Sequence, residues 1–315
     1  MVVSRETISP SGVARSLTAA KGRCTSLPVD RDAKSRMHLG WAVLATIVAF
    51  VLLVGLFQIF ASLRAGVRHE SIADAALGLQ RSPLSLGVIQ AAAFGLVLIF
   101  GVRFFGGADA SLRQTLSVRP IRFRLIVAAL VAGFGLQLPL AELGNVVQTV
   151  APMSKEQLEA QMDLLNVHGA WSVLALFFTV VVVAPVTEEL FFRGLLLRGL
   201  RIRHGWAIAW AASSGLFSLS HPSGAPTIVY AFVAGLLLGL VAMRGRSIVA
   251  SLAMHAGVNF VPIALTARVY PIVGFNVPSD EVQHVPVVLV LGSLSVTVVA
   301  LTFFLRFTRE LSLDE

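Results

Sequence analysis

The chain has 315 residues, of which 56% are hydrophobic and 13% charged, with a formal net charge of +8 and a mean hydropathy of +0.81. Those values lie far from the averages of soluble globular domains and identify an all-α polytopic membrane protein. The basic excess sits beside apolar runs, where it matches anionic lipid headgroups, so a nucleic-acid partner is not implied.

Residues 1–36 are rich in Ser, Thr, Arg and Ala without apolar periodicity and read as a disordered basic cytoplasmic tail. The apolar run that follows is too long for a signal peptide and lacks a small-residue cleavage site. Met37, just ahead of that run, is a candidate true start. Cys24 is the only cysteine, which excludes an intrachain disulfide and a thiolate metal cluster.

Apolar runs of about 17 to 25 residues can cross roughly 30 Å of hydrocarbon. Eight are found, near 39–63, 86–102, 125–141, 171–200, 206–221, 226–243, 247–265 and 285–305. Placing the N-terminus inside puts 20 of the 25 Lys and Arg residues on the cytoplasmic side and 5 on the other. Both termini are therefore expected in the cytoplasm of a plasma-membrane protein. Trp41, Trp171, Trp206 and Trp210 fall within a turn of span ends, as headgroup anchors do. The stretch "SKEQLEAQMDLLN" carries Leu158, Met162 and Leu165 at helical spacing and is expected to form an amphipathic surface helix.

Ionisable groups at membrane depth are costly and mark function. Glu188, Glu189, Arg193, His221, His255 and the amide Asn259 sit inside or at the edge of spans four, five and seven. His38, His69, His168, His204 and His284 fall in loops or at interfaces. Measured from the cytoplasmic helix ends at about 1.5 Å per residue, Glu188 lies roughly 18 Å deep, His221 about 24 Å, His255 about 14 Å and Asn259 about 20 Å. One depth band collects them all. Glu189 and Arg193 share a helix face in the favoured order for an ion pair, which leaves Glu188 available for chemistry. Pro185 should kink span four just before the glutamates, while Pro222 ends span five and Pro262 disturbs span seven. Broken backbone at this depth points to a polar intramembrane cavity.

A carboxylate and an imidazole around a water make a general base, and an imidazole with an amide can hold an oxyanion. The expected reaction is hydrolysis of a peptide bond in a membrane-associated protein or peptide. Glu188 and His221 would activate water, and His255 and Asn259 would stabilise the oxyanion. Glu188, His221 and His255 are also a possible zinc set. Other intramembrane protease signatures are missing, since H-E-x-x-H, G-x-S-G and G-x-G-D do not occur at the candidate positions. Gly235 and Gly239 form a small-residue face on span six, suited to close helix packing.

"EELFFR", "FSLSH" and "HAGVN", in that order on successive membrane helices, resemble the three motifs of the CAAX prenyl endopeptidase (CAAX prenyl protease 2) and Abi family, also called CPBP. The resemblance covers roughly residues 171–265. It implies Glu188 as the catalytic carboxylate, Glu189 and Arg193 as its motif partners, Phe217 as a packing residue, and His221, His255 and Asn259 as further site members. Members are usually described as metalloproteases; the resemblance leaves a glutamate-dependent and a metal-dependent mechanism open. The Ala-, Val- and Arg-rich style suggests a bacterial member and argues against a farnesylated substrate. Two other classes compete: a catalytically silent scaffold or bacteriocin-immunity-type binding protein, and a proton-coupled transporter. Against the transporter, the two halves of the chain show no paired broken helices.

Overall fold

A computed structural model describes residues 37–106, 111–159, 167, 169–279 and 281–310, and these contain helices and no strand. The basic tail, Cys24, His168 and most of the expected surface helix lie outside the described residues. Within that helix, residues 155–159 are helical. Their start is a capping box, in which Ser154 Oγ accepts the Gln157 N–H at 3.3 Å and Gln157 Oε1 accepts the Ser154 N–H at 2.9 Å.

The helices are α1 (Leu39–Arg68), α2 (Ile72–Gln80), α3 (Pro83–Gly106), α4 (Leu112–Thr115), α5 (Phe123–Val150), α6 (Ala170–Phe177), α7 (Ala184–Glu188), α8 (Arg198–Leu219), α9 (Ala225–Gly245), α10 (Ile248–Ala264) and α11 (Val287–Glu310). Two π-helical stretches, Phe178–Val183 and Glu189–Leu197, join α6, α7 and α8 into one continuous run.

Six helical runs are long and apolar enough to cross a membrane, and Ile248–Ala264 is a shorter apolar one. The run Ala170–Leu219 has 50 residues, or about 75 Å at helical rise, more than twice the hydrocarbon thickness. It is divided at Gly205, whose φ of 79° and ψ of 176° are open to glycine and strained for other residues. Spans four and five are its two halves. With them counted separately and α10 included, the described residues form a multi-pass helical membrane protein of about eight spans, as expected.

Boundaries depart from the hydropathy reading where polar residues interrupt an apolar run. Span three, expected at 125–141, continues to Val150 because its polar residues find partners on other segments. Tyr230 donates to Gln137 Oε1 at 2.7 Å, Glu142 Oε2 accepts the Val285 N–H at 2.8 Å, and Asn145 donates to Gly274 O at 2.7 Å. Span one continues to Arg68, and the short helix α2, unforeseen in the sequence, starts at the Ser71 cap, whose Oγ accepts the Asp74 N–H.

Helix α5 forms the centre, packed against α10 and α11, with α9 alongside. Leu125, Ala129, Leu136, Leu238, Met254 and Phe304 fill that core. Its tightest crossing is glycine on glycine. A Cβ at Gly257 would stand 2.6 Å from the Leu130 carbonyl oxygen and 3.2 Å from Gly133 Cα, both backbone atoms that cannot swing away. Gly257→Leu is therefore expected to destabilise the bundle by at least about 1–3 kcal/mol, read as loss of the monodisperse peak after detergent extraction and heating. A variant that elutes and melts like the wild type would refute this crossing.

On the other flank α8 packs on α9, where a Cβ at Gly239 would meet the Trp210 ring at 2.8 Å and one at Gly235 would meet Phe217 at 3.2 Å. The small-residue face thus serves close packing, as its spacing predicts. Trp210 corrects an expectation. Its indole donates to Leu236 O at 2.7 Å, making it a clamp between α8 and α9, whereas Trp171 and Trp206 are exposed. The outer helices α1 and α11 present Val51, Leu63, Val287 and Val288 outward, the apolar coat that lipid requires.

Candidate active site

The sequence "VVVVAPVTEELFFR" carries a proline that an α-helix cannot hold without cost, because its ring collides with the carbonyl four residues back. The structure answers with a widened register at the position where the sequence predicts a kink. The residues before Pro185 are π-helical, and Val183 and Ala184 keep right-handed helical angles of −65°/−50° and −61°/−54°. A second π stretch begins at Glu189, so Glu188 sits between two widened turns and Glu189 opens the second, a local geometry frequent at functional sites.

Glu189 and Arg193 are buried, at 0% and 1% side-chain exposure, and paired at 2.8 Å between Glu189 Oε1 and Arg193 Nη1. Arg193 also donates to Gly235 O at 3.3 Å and lies 4.3 Å from the centre of the Phe217 ring. Its charge is spread over a carboxylate, a carbonyl and an aromatic face, which is how a guanidinium is tolerated without water. Glu189 Oε1 accepts a second bond, from His255 Nδ1 at 3.0 Å. Its other oxygen, Oε2, is buried without a hydrogen-bond partner.

A carboxylate can only accept, so the bond to Glu189 places a proton on His255 Nδ1. In the neutral ring Nε2 then offers a lone pair. That atom stands 3.7 Å from Glu188 Oε2, too far for a direct bond and close enough for one water to reach both. His221 is set the same way: Nδ1 donates to Phe217 O at 2.9 Å, leaving Nε2 unprotonated. Phe217 holds both imidazoles, with ring centres 4.8 Å from His221 and 5.8 Å from His255. Asn259 donates one N–H to Val180 O, in the first π stretch, at 2.9 Å and keeps a second.

The structure therefore brings together spans four, five and seven, as the depth argument predicts. It alters the pairing in one respect. The imidazole beside Glu188 is that of His255, whereas the sequence reading joined His221 to Glu188. It also adds a residue that reading missed. Gln90 on α3 donates to Glu188 Oε1 at 3.0 Å and to Thr187 Oγ1 at 3.2 Å. A lone amide in the middle of an apolar span was the available signal, and a screen for ionisable groups passes over it.

A zinc held by Glu188, His221 and His255 would want each histidine's Nδ1–H given to an acceptor, which both satisfy. The donors themselves do not gather: among the described residues no group of three or more His, Cys, Asp or Glu side chains could hold a metal ion. The arrangement does not fit a resident metal, and no step below is routed through one.

Residues 170–261 match the family model described as type II CAAX prenyl endopeptidase Rce1-like, a match over less than a third of the chain that includes Glu188, Glu189, Arg193, Phe217, His221, His255 and Asn259. No curated protein and no solved structure matches the chain. The matched segment holds the polar cluster just described and nearly coincides with the 171–265 core marked out by the three motifs. Residues 170–261 of this multi-pass membrane protein are thus similar to the type II CAAX prenyl endopeptidase Rce1-like family model.

Proposed function

We propose that the chain is an intramembrane endopeptidase that hydrolyses a peptide bond of a membrane-associated protein or peptide, with Glu188 as general base. The observation that carries this reading is the Glu188 carboxylate itself. It is 13% exposed beside a fully buried ion pair, with one oxygen tied by Gln90 and the other facing His255 Nε2 at 3.7 Å.

Water held between Glu188 Oε2 and His255 Nε2 loses a proton to Glu188 as its oxygen bonds to the scissile carbonyl carbon. The carbonyl electron pair moves onto oxygen, and the free N–H of Asn259 stabilises that oxyanion. Collapse of the tetrahedral species breaks the C–N bond, and Glu188 returns its proton to the leaving nitrogen. Glu189 acts at one remove. It fixes the His255 tautomer, while Arg193 balances its charge.

The substrate class follows from the setting: a site between membrane helices serves a chain already held at the bilayer, and, although the composition argues against a farnesylated substrate, "CAAX prenyl" in the family description makes a lipid-anchored C-terminal peptide the first class to try. Comparing membrane-fraction and secreted peptide termini from cells with the wild type and Glu188→Gln tests the reading. Termini lost in the variant at equal abundance support it; identical profiles support a silent scaffold.

We also propose that both termini face the cytoplasm of the plasma membrane, on the 20-to-5 split of basic residues. Arg203→Cys in a Cys24→Ser background should react with an impermeant maleimide only after the inner face is opened. Labelling in intact cells would invert the topology.

A further inference from the structure

Helix α3 lies outside the matched segment, yet one of its faces runs along the catalytic span. Pro83, Gly87, Gln90 and Phe94 recur at intervals of four, three and four, one side of a helix. Each touches span four. Pro83 O accepts from Thr179 Oγ1 at 2.9 Å, and a Cβ at Gly87 would meet Thr179 Oγ1 at 2.8 Å. Phe94 packs edge-on against Phe191, with ring centres 5.3 Å apart. The side chain of Thr179, at the start of the first π stretch, thus sets the height of α3 against the glutamates. In this otherwise apolar docking face Gln90 is the polar member.

The direction of its bonds is settled by its neighbours. Thr187 spends its hydroxyl proton on the backbone, at 2.9 Å to Val183 O and 3.0 Å to Ala184 O, so its oxygen can only accept from Gln90. Glu188 Oε1, as a carboxylate oxygen, also accepts. Turning the Gln90 amide over would set its oxygen against two acceptors, so the Nε2 end is the one that faces them. Gln90 thus bridges two successive residues of span four and holds one carboxylate oxygen of Glu188, leaving Oε2 aimed toward His255.

We propose that Gln90 is a positioning residue for Glu188: an α3 amide that fixes the carboxylate's rotation and so the oxygen presented to water. The catalytic part of this statement rests on the endopeptidase reading above, whereas the contact itself does not.

The test uses the full-length protein in lipid vesicles. The infrared difference spectrum of wild type minus Glu188→Gln isolates the carboxylate stretch of Glu188 without any substrate. Gln90→Leu, apolar and of similar size, should keep the elution profile and melting of the wild type and shift that band, and Gln90→His should move it back by supplying an N–H. An unchanged band in Gln90→Leu overturns the proposal. Turnover is then followed on an internally quenched farnesylated peptide ending in Cys-aliphatic-aliphatic-X. Gln90→Leu should lower kcat by about 10²-fold with KM nearly unchanged, since the loss is one of aim rather than binding. A shifted band with unaltered kcat would overturn the positioning role. If the wild type and Glu188→Gln prove equally inert on this peptide and in the cellular comparison, the endopeptidase reading fails, while the infrared band still decides whether Gln90 orients Glu188.

Discussion

Glu188→Gln is expected to lower the rate of peptide-bond cleavage by roughly 10²–10⁴-fold, the contribution of a positioned general base. The amide keeps the volume of the carboxylate and can still meet Gln90, so the fold should be preserved and the loss confined to kcat. The reason is specific to Oε2. This oxygen faces an imidazole nitrogen that carries no proton in its neutral form, so both groups accept from an intervening water and hold it where Glu188 can take its proton. Glu189 cannot substitute for it, because it is fully buried and one of its oxygens already answers both Arg193 and His255. Chelation by EDTA or 1,10-phenanthroline should leave cleavage intact, as the donor set does not fit a resident metal. Inhibition by a chelator that is reversed by added zinc would refute the metal-free mechanism, and full activity of Glu188→Gln would remove Glu188 from the chemistry.

Arg193→Met should be the most damaging single change to stability. It keeps the apolar stem and removes the charge, leaving Glu189 with 0% side-chain exposure and no cation. Breaking a buried pair from one side ordinarily costs about 3–5 kcal/mol, because the stranded charge stays desolvated. Here the Gly235 carbonyl and the face of Phe217 also lose their partner. The result should be a sharp fall in the fraction surviving heating in detergent, followed by size-exclusion chromatography. Arg193→Lys should recover only part, since an ammonium lacks the planar fork that reaches carboxylate and carbonyl together while stacking on an aromatic ring. The double variant Glu189→Gln, Arg193→Met should be more stable than Arg193→Met alone, because the uncompensated charge is gone. If the double variant is no better, desolvated charge is not the cause and the pair matters through packing. Melting of Arg193→Met at the wild-type temperature would refute the structural role outright.

Much of the architecture is written along one dimension. Apolar runs long enough to cross a bilayer need no knowledge of neighbours, because a membrane helix satisfies its own backbone. That is why eight spans, the division near Gly205 and the polar residues of spans four, five and seven could be read directly. The pairing of Glu189 with Arg193 was legible for the same reason, since four residues along a helix fix a neighbour. Span three shows the limit. Gln137, Glu142 and Asn145 look like the end of a span until Tyr230, His284, Val285 and Gly274 arrive to bond them. Trp210 resembles a headgroup anchor until the Leu236 carbonyl is seen in front of its indole.

The sequence by itself determined the helical class, the number of spans and the set of residues from which the candidate site is built, because each depends on composition or on spacing within one helix. Tertiary structure alone decided which imidazole lies beside Glu188, which nitrogen of each ring is free, and that an amide 98 positions away in the chain holds Glu188 Oε1. Those facts depend on the rotation and height of one helix against another. They are set by steric details such as a threonine against a glycine and a proline absorbed by a π turn, which hydropathy does not record.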